Sequence, residues 1–266
     1  MGEILVTSGC SFSDIEYPES TWPVHIERMY KNKFNEFEHY GRQSHGQDYI
    51  SRSIICGVDS LLKKHNSEDI SVIVCWSGMR RHSVLFNHES KKLNYKFKDY
   101  NADDLGPAPH RMLMLPIGVW ENFGWELHKI FPLEQSIIMN LENILRTQHY
   151  LELKKIKYKF FTFNDIFSID SSFCFELNDS DKTRHKIRKS EREKFEGQRL
   201  DKYFPNSSYL FEMIDWSKWW FHNDYGGLTE WIQDNIENGF DDEKHPLEKS
   251  QKLFTEKVIK KWIKQL

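Results

Sequence analysis

Strand-sized apolar segments alternating with helix-period segments predict an α/β fold, a three-layer α/β/α sandwich around a central parallel sheet. Three observations carry this. Ile70-Ser71-Val72-Ile73-Val74-Cys75-Trp76 is apolar enough to be buried on both faces, as strands inside parallel sheets are. Ahead of it, Ile50, Ile54, Val58, Leu61 and Leu62 recur at helical spacing within residues 47–64. The order β-α-β-α-β-(insertion)-α-β-…-α supplies a helical crossover between strands, which parallel neighbours require.

The elements follow in chain order. Ile4-Leu5-Val6-Thr7-Ser8 is a short β-prone run that Gly9 ends. Residues 20–30 read as a helix capped by Ser20 or Thr21, with Trp22, Ile26, Met29 and Tyr30 on one face. A weaker strand, 36–40, leads into the loop Gly41-Arg42-Gln43-Ser44-His45-Gly46. After the 47–64 helix and the 70–76 strand comes a long irregular stretch, 79–132, carrying Gly106-Pro107-Ala108-Pro109 and Leu115-Pro116-Ile117-Gly118. A loop of that length is usually functional, so it reads as a lid-like insertion. Residues 134–155 form a helix, 157–163 a strand, 164–240 an aromatic and charged insertion, and 247–265 an amphipathic helix. Residues 1–266 read as one domain.

Composition narrows the function. Thirty-seven basic residues against 40 acidic ones give a net charge of −3, which argues against nucleic acid as a general partner. Mean hydropathy is −0.68, and no apolar run is long enough for a membrane helix. Met1-Gly2-Glu3-Ile4-Leu5-Val6 has no basic leader or small-residue cleavage site, so a cytoplasmic protein is expected. Cys10, Cys56, Cys75 and Cys174 form no C-x-x-C pair, and His82, His88, His110, His128, His149, His185 and His222 lack ligand spacing. Reduced thiols and no metal are expected. Gly9 and Gly46 make no nucleotide cradle.

Residues 182–194 hold seven basic and two acidic side chains. They read as a solvated face or as a patch for an anionic polymer, with few interleaved rings for base stacking. Trp216, Trp219, Trp220, Phe221 and Tyr225, and Trp120, Phe123 and Trp125 in the lid, read as packing or as walls of a sugar cleft.

Ligands of such sheets sit outside the carboxyl ends of the strands, so chemistry belongs to the loops at 8–14, 41–46 and 77–82. The first reads Ser8-Gly9-Cys10-Ser11-Phe12-Ser13, with turn N–H groups able to face an oxyanion. Near the other end lies Asp242-Glu243-Lys244-His245-Pro246. An Asp three residues before a His can meet imidazole Nδ1 and leave Nε2 to take a hydroxyl proton. Asp241 competes with Asp242 for that role, and Ser8 and Ser13 compete with Ser11.

The pattern resembles the SGNH/GDSL hydrolase superfamily. Gly9-Cys10-Ser11-Phe12 answers to its Gly-Asp-Ser-Leu block, Gly46 to the glycine of its second block, and Asp242 through Pro246 to its Asp-x-x-His-Pro block. Trp76-Ser77-Gly78-Met79-Arg80 and Tyr225-Gly226-Gly227 give it the style of divergent bacterial and phage members. The resemblance implies an SGNH/flavodoxin-like sandwich in which Ser11 is the nucleophile and His245 the base, then the acid. Asp242 would orient His245, and the N–H groups of Ser11 and Gly46 would bind the oxyanion. The implied reaction is hydrolysis of small acyl esters through an acyl-enzyme, without metal or organic cofactor; O-acetylated carbohydrate is the leading substrate. One departure matters. The family's third block carries an Asn oxyanion donor, but Trp76-Ser77-Gly78-Met79-Arg80-Arg81 has none. The Ser77 hydroxyl and the Arg80 guanidinium are the candidate replacements, since losing one donor costs about 100- to 1000-fold in rate. Cys10 also stands where Asp is usual. Two other outcomes stay open: an acyltransferase on the same triad, and a non-catalytic carbohydrate-binding scaffold. Oligomeric state is not legible.

Overall fold

All seven residues of the strand Ile70–Trp76 are buried, which sets it inside the sheet. The computed structural model describes residues 3–17, 20–79, 81–85, 114–117, 133–169, 198–242 and 244–266. Its strands are β1 (Glu3–Ser8), β2 (Phe34–His39), β3 (Ile70–Trp76), β4 (His82–Leu85), β5 (Met114–Ile117) and β6 (Lys157–Thr162). Four of them form a parallel sheet in the order β2-β1-β3-β6. Val6 pairs with Val72, and Val74 with Phe160. Growth of the sheet reverses between β1 and β3, and beyond the carboxyl ends at such a switch point is where parallel sheets generally bind ligands.

The helices are α1 (Trp22–Tyr30), α2 (Gln47–Leu61), α3 (Leu133–Leu153), α4 (Leu200–Tyr203), α5 (Ser208–Glu212), α6 (Leu228–Asn235), α7 (Glu248–Phe254) and α8 (Lys260–Ile263). Pro23 sits in the first turn of α1, where its missing N–H is no loss. Strand periodicity sorts the layers. Ser8 pairs with Val74 and Val74 with Phe160, so the three share a face; Ser8 Oγ meets Ser53 Oγ of α2 at 2.8 Å there. Phe161, one residue on, faces the other way and packs on Trp22, Phe254 and Trp262. Thus α2 and α3 cover one face, and α1 with α7 and α8 the other. Ile50, Ile54 and Val58 of α2 are fully buried, each contributing roughly 1.5–3 kcal/mol.

Two details differ from the sequence reading, and in a third, the aromatic segment, Trp219 follows its packing alternative. The helix expected over 247–265 is interrupted by a π-helical turn, Thr255–Ile259, at whose start Thr255 Oγ1 donates back to the Gln251 carbonyl at 2.9 Å. The stretch 79–132 is not wholly irregular, because β4 and β5 pair as an antiparallel ribbon. In the 164–240 segment, Trp219 stacks on Phe221 and packs edge-on against Phe160 and Phe167, while Trp216 and Tyr225 stay exposed. Arg80, Trp120, Phe123, Trp125, Cys174 and the 182–194 run lie outside the described residues. Among the described residues no helix is long and apolar enough to cross a membrane, and no group of His, Cys, Asp and Glu could hold a metal ion.

Candidate active site

Beyond β1 the backbone must turn in a crowded space. A Cβ on Gly9 would lie 2.3 Å from Ser13 Oγ and 2.8 Å from the Cys75 carbonyl oxygen, so only glycine fits. A single 3-10 turn, Ser11–Ser13, follows, closed by Ser13 N–H donating to the Cys10 carbonyl at 2.8 Å. The three serines of this segment then part company. Ser8 is held by Ser53, and Ser13 Oγ accepts from Trp22 Nε1 at 2.9 Å. Ser11 Oγ instead lies 3.1 Å from His245 Nε2, although 234 positions separate them.

His245 reaches that point on a tight turn. Phe240 bridges Pro246, Asp241 N–H donates to the His245 carbonyl at 2.9 Å, and Lys244 adopts a left-handed φ of 66°. The Asp241 carboxylate accepts the His245 backbone N–H at 2.8 Å. The imidazole lies between two rings, Tyr17 at 4.8 Å and Phe12 at 5.6 Å between centroids. Asp242, expected to orient the imidazole, is exposed and makes no hydrogen bond to it. The turn explains this, since its own closure uses the carboxylate one residue earlier.

The second loop is tied to the first by Asp14. Its carboxylate accepts Gln43 N–H at 2.8 Å and Glu16 N–H at 3.0 Å, with Arg42 at 3.9 Å. Burial pushes the Asp14 carboxyl up from its ordinary value against the pull of those N–H groups and of Arg42. At the end of this loop, a Cβ on Gly46 would lie 2.1 Å from the Arg81 carbonyl oxygen. The Gly46 N–H, expected to face an oxyanion, donates to Ser83 Oγ at 3.1 Å. Ser83 Oγ also pairs with His45 Nδ1 at 3.0 Å. His45 stacks on Tyr49 at 4.1 Å, and burial, with Arg42 adding to it, pushes its pKa down to about 3. It is therefore neutral at any ordinary pH. Ser83 thus occupies the donor that the sequence reading had assigned to the oxyanion.

Asp48, in the first turn of α2, fixes β4 above this loop. It accepts Ser83 N–H at 3.3 Å, faces His82 Nδ1 at 3.3 Å and takes Asn143 Nδ2 at 3.1 Å. Burial alone would raise its carboxyl, but these partners outweigh burial and hold it below the ordinary value.

The third loop carries the expected Ser77. Its carbonyl accepts Gln47 Nε2 at 2.5 Å, and its Oγ accepts Arg81 Nη1 at 3.4 Å. Arg80 is outside the described residues, and Arg81 is the arginine found here. Its guanidinium lies 5.3 Å from the centroid of the Phe163 ring and against the Cys10 thiol, and burial lowers its pKa. Arg81 is a site residue that the motif spacing does not mark. Its signal in the sequence is a pair of adjacent arginines after a buried strand, which spacing does not tell apart.

No protein-family model and no curated protein matches the chain. Among solved structures, the chain is similar to a crystal structure of a member of the lipolytic protein G-D-S-L family from Veillonella parvula. That likeness covers 97% of each chain at 11% identity, with a TM-score of 0.40. A likeness this low fixes neither fold nor chemistry.

Proposed function

We propose that the chain is a serine ester hydrolase of the SGNH/GDSL type, acting on small acyl esters. One observation carries the reading: a buried serine hydroxyl 3.1 Å from an imidazole Nε2, in the turn beyond β1. In this reading Ser11 Oγ attacks the acyl carbon while its proton passes to His245 Nε2. The carbonyl π pair becomes an oxyanion. Collapse expels the alcohol, which takes the proton from His245, and leaves an acyl-serine. Water, deprotonated by His245, then attacks the acyl carbon; the acid leaves and Ser11 recovers its proton. The rings of Phe12 and Tyr17 and the Asp241-closed turn hold the imidazole in place. The assignment of an orienting role to Asp242 is supported by spacing alone.

O-acetylated carbohydrate is the preferred substrate class in this proposal. Trp216 and Tyr225 are exposed rings, and Gly227, two residues past Tyr225, packs on the backbone at the carboxyl end of β6. Steady-state hydrolysis of p-nitrophenyl acetate and of acetylated oligosaccharides tests the reading. Wild type is expected to release acetate from both, and Ser11→Ala, with an unchanged thermal midpoint, to release none. A second reading, a binding scaffold without turnover, is favoured by the engagement of the Gly46 N–H by Ser83. Tight binding of an acetylated glycan by a wild type that leaves the ester intact would support it.

A further inference from the structure

We propose that the Arg81 guanidinium is the oxyanion donor that completes this site. The inference rests on the hydrolase reading above and concerns a residue that reading does not use. The expected Asn is absent from the third loop, and the Gly46 N–H is engaged by Ser83. Beside the Ser11 N–H, a second donor must therefore come from another group. Arg81 stands where four strand-end loops converge. Its side chain meets Cys10 beyond β1, Ser77 beyond β3 and Phe163 beyond β6, and its carbonyl closes over Gly46 beyond β2.

The order along the first loop is informative. Cys10 touches Arg81, Ser11 meets His245, and the Phe12 ring packs beside His245 and on Phe163 at 5.3 Å. The nucleophile thus has a chain neighbour on each side, one beside the cation and one beside the base, and acyl transfer needs both a base and an anion-stabilising donor at one serine. The hydroxyl proton leaves toward the imidazole as negative charge grows on the acyl oxygen facing the other way. A cation partly withdrawn from water, as half-buried Arg81 is, stabilises that charge more strongly than a fully solvated one, because less solvent screens it. Its planar N–H fork also supplies directed hydrogen bonds, which a lysine does not.

The test uses p-nitrophenyl acetate kinetics, a fluorophosphonate and the full chain. Arg81→Gln is expected to lower kcat about 100- to 1000-fold with KM nearly unchanged. Millimolar guanidinium ion is expected to restore part of the rate in Arg81→Ala, which loss of a purely structural contact would not allow. The crystal structure of the wild-type phosphonyl adduct supplies a readout independent of whether the variants fold. There the phosphoryl oxygen is expected within about 3 Å of the guanidinium. Wild-type turnover through Ser11 with an undiminished kcat in folded Arg81→Gln, or an adduct oxygen turned to other donors, overturns this inference alone. A wild type that neither hydrolyses ester nor labels at Ser11 overturns the hydrolase reading and this inference with it.

Discussion

At the scale of single residues, the imidazole of His245 owes its place to neighbours that the motif does not name. Tyr17 and Phe12 contact its ring, and ring contacts of this kind are worth about 0.5–1.5 kcal/mol. Tyr17→Ala is therefore expected to lower kcat by up to about tenfold without changing the thermal midpoint beyond a few degrees, read from ester hydrolysis and a melting curve. Ser83 gives the opposite sign. Ser83→Ala frees the Gly46 N–H for the oxyanion, and kcat is expected to rise by about tenfold or more. A rate equal to or below wild type, from a folded variant, would show that the Gly46 N–H has no part in the reaction. Ser11 and His245 are legible only through the Gly-x-Ser and Asp-x-x-His-Pro blocks taken together with the family resemblance, since each block alone is common and Ser8 and Ser13 compete for the first role. Asp242, expected to orient the imidazole, makes no hydrogen bond to it, and Asp241 closes the turn instead. Which of two adjacent like residues points inward depends on backbone dihedrals, here on Lys244 in the left-handed region, and spacing does not encode them.

At the scale of elements, the start of α2 and the strand β4 form a pH-sensitive joint. His45 is held neutral, its pKa well below that of an exposed imidazole, so protons bind the unfolded chain in preference to the folded one as pH falls below about 6.5. Asp48 acts in the same sense at lower pH. Its carboxyl is held below the ordinary value, so its stabilisation is present above about pH 4 and lost as pH falls through its folded value. Urea unfolding is expected to give a lower stability at pH 5 than at pH 7, by at most ~1.4 kcal/mol per pH unit from His45. His45→Gln is expected to flatten that slope, and an equal slope in the variant would remove His45 from the explanation. Periodicity made α1, α2, α3, β1, β3 and β6 legible, since each buries one face or both. The β4–β5 ribbon escaped notice because Pro116 within β5 cannot donate to a ladder and demotes its segment as a strand. The π turn after α7 escaped because its apolar positions still follow a helical stripe.

At the scale of the whole molecule, the two ends of the chain share one core and meet at Ser11 and His245. A single hydrophobic cluster includes Ile4 and Leu266, and Trp262 anchors the last segment on Phe161 and Trp220. Trp262→Ala is expected to cost about 3–5 kcal/mol, read from urea unfolding. Activity is expected to vanish over the same denaturant range as the fold, because His245 is carried by the segment that Trp262 secures. Sheet order was legible only in outline. Alternation of strands and helices requires parallel neighbours, but the β2-β1-β3-β6 order, which sets the switch point beside Ser11, comes from contacts distant in sequence.

The proton path between Ser11 and His245 is tested most directly by labelling the native chain with a fluorophosphonate and mapping the adduct by peptide mass spectrometry. The account predicts one stoichiometric adduct on Ser11, with labelling abolished in Ser11→Ala and slowed at least about 1000-fold in His245→Ala. An adduct on another residue, or undiminished labelling of Ser11 without the imidazole, would contradict it.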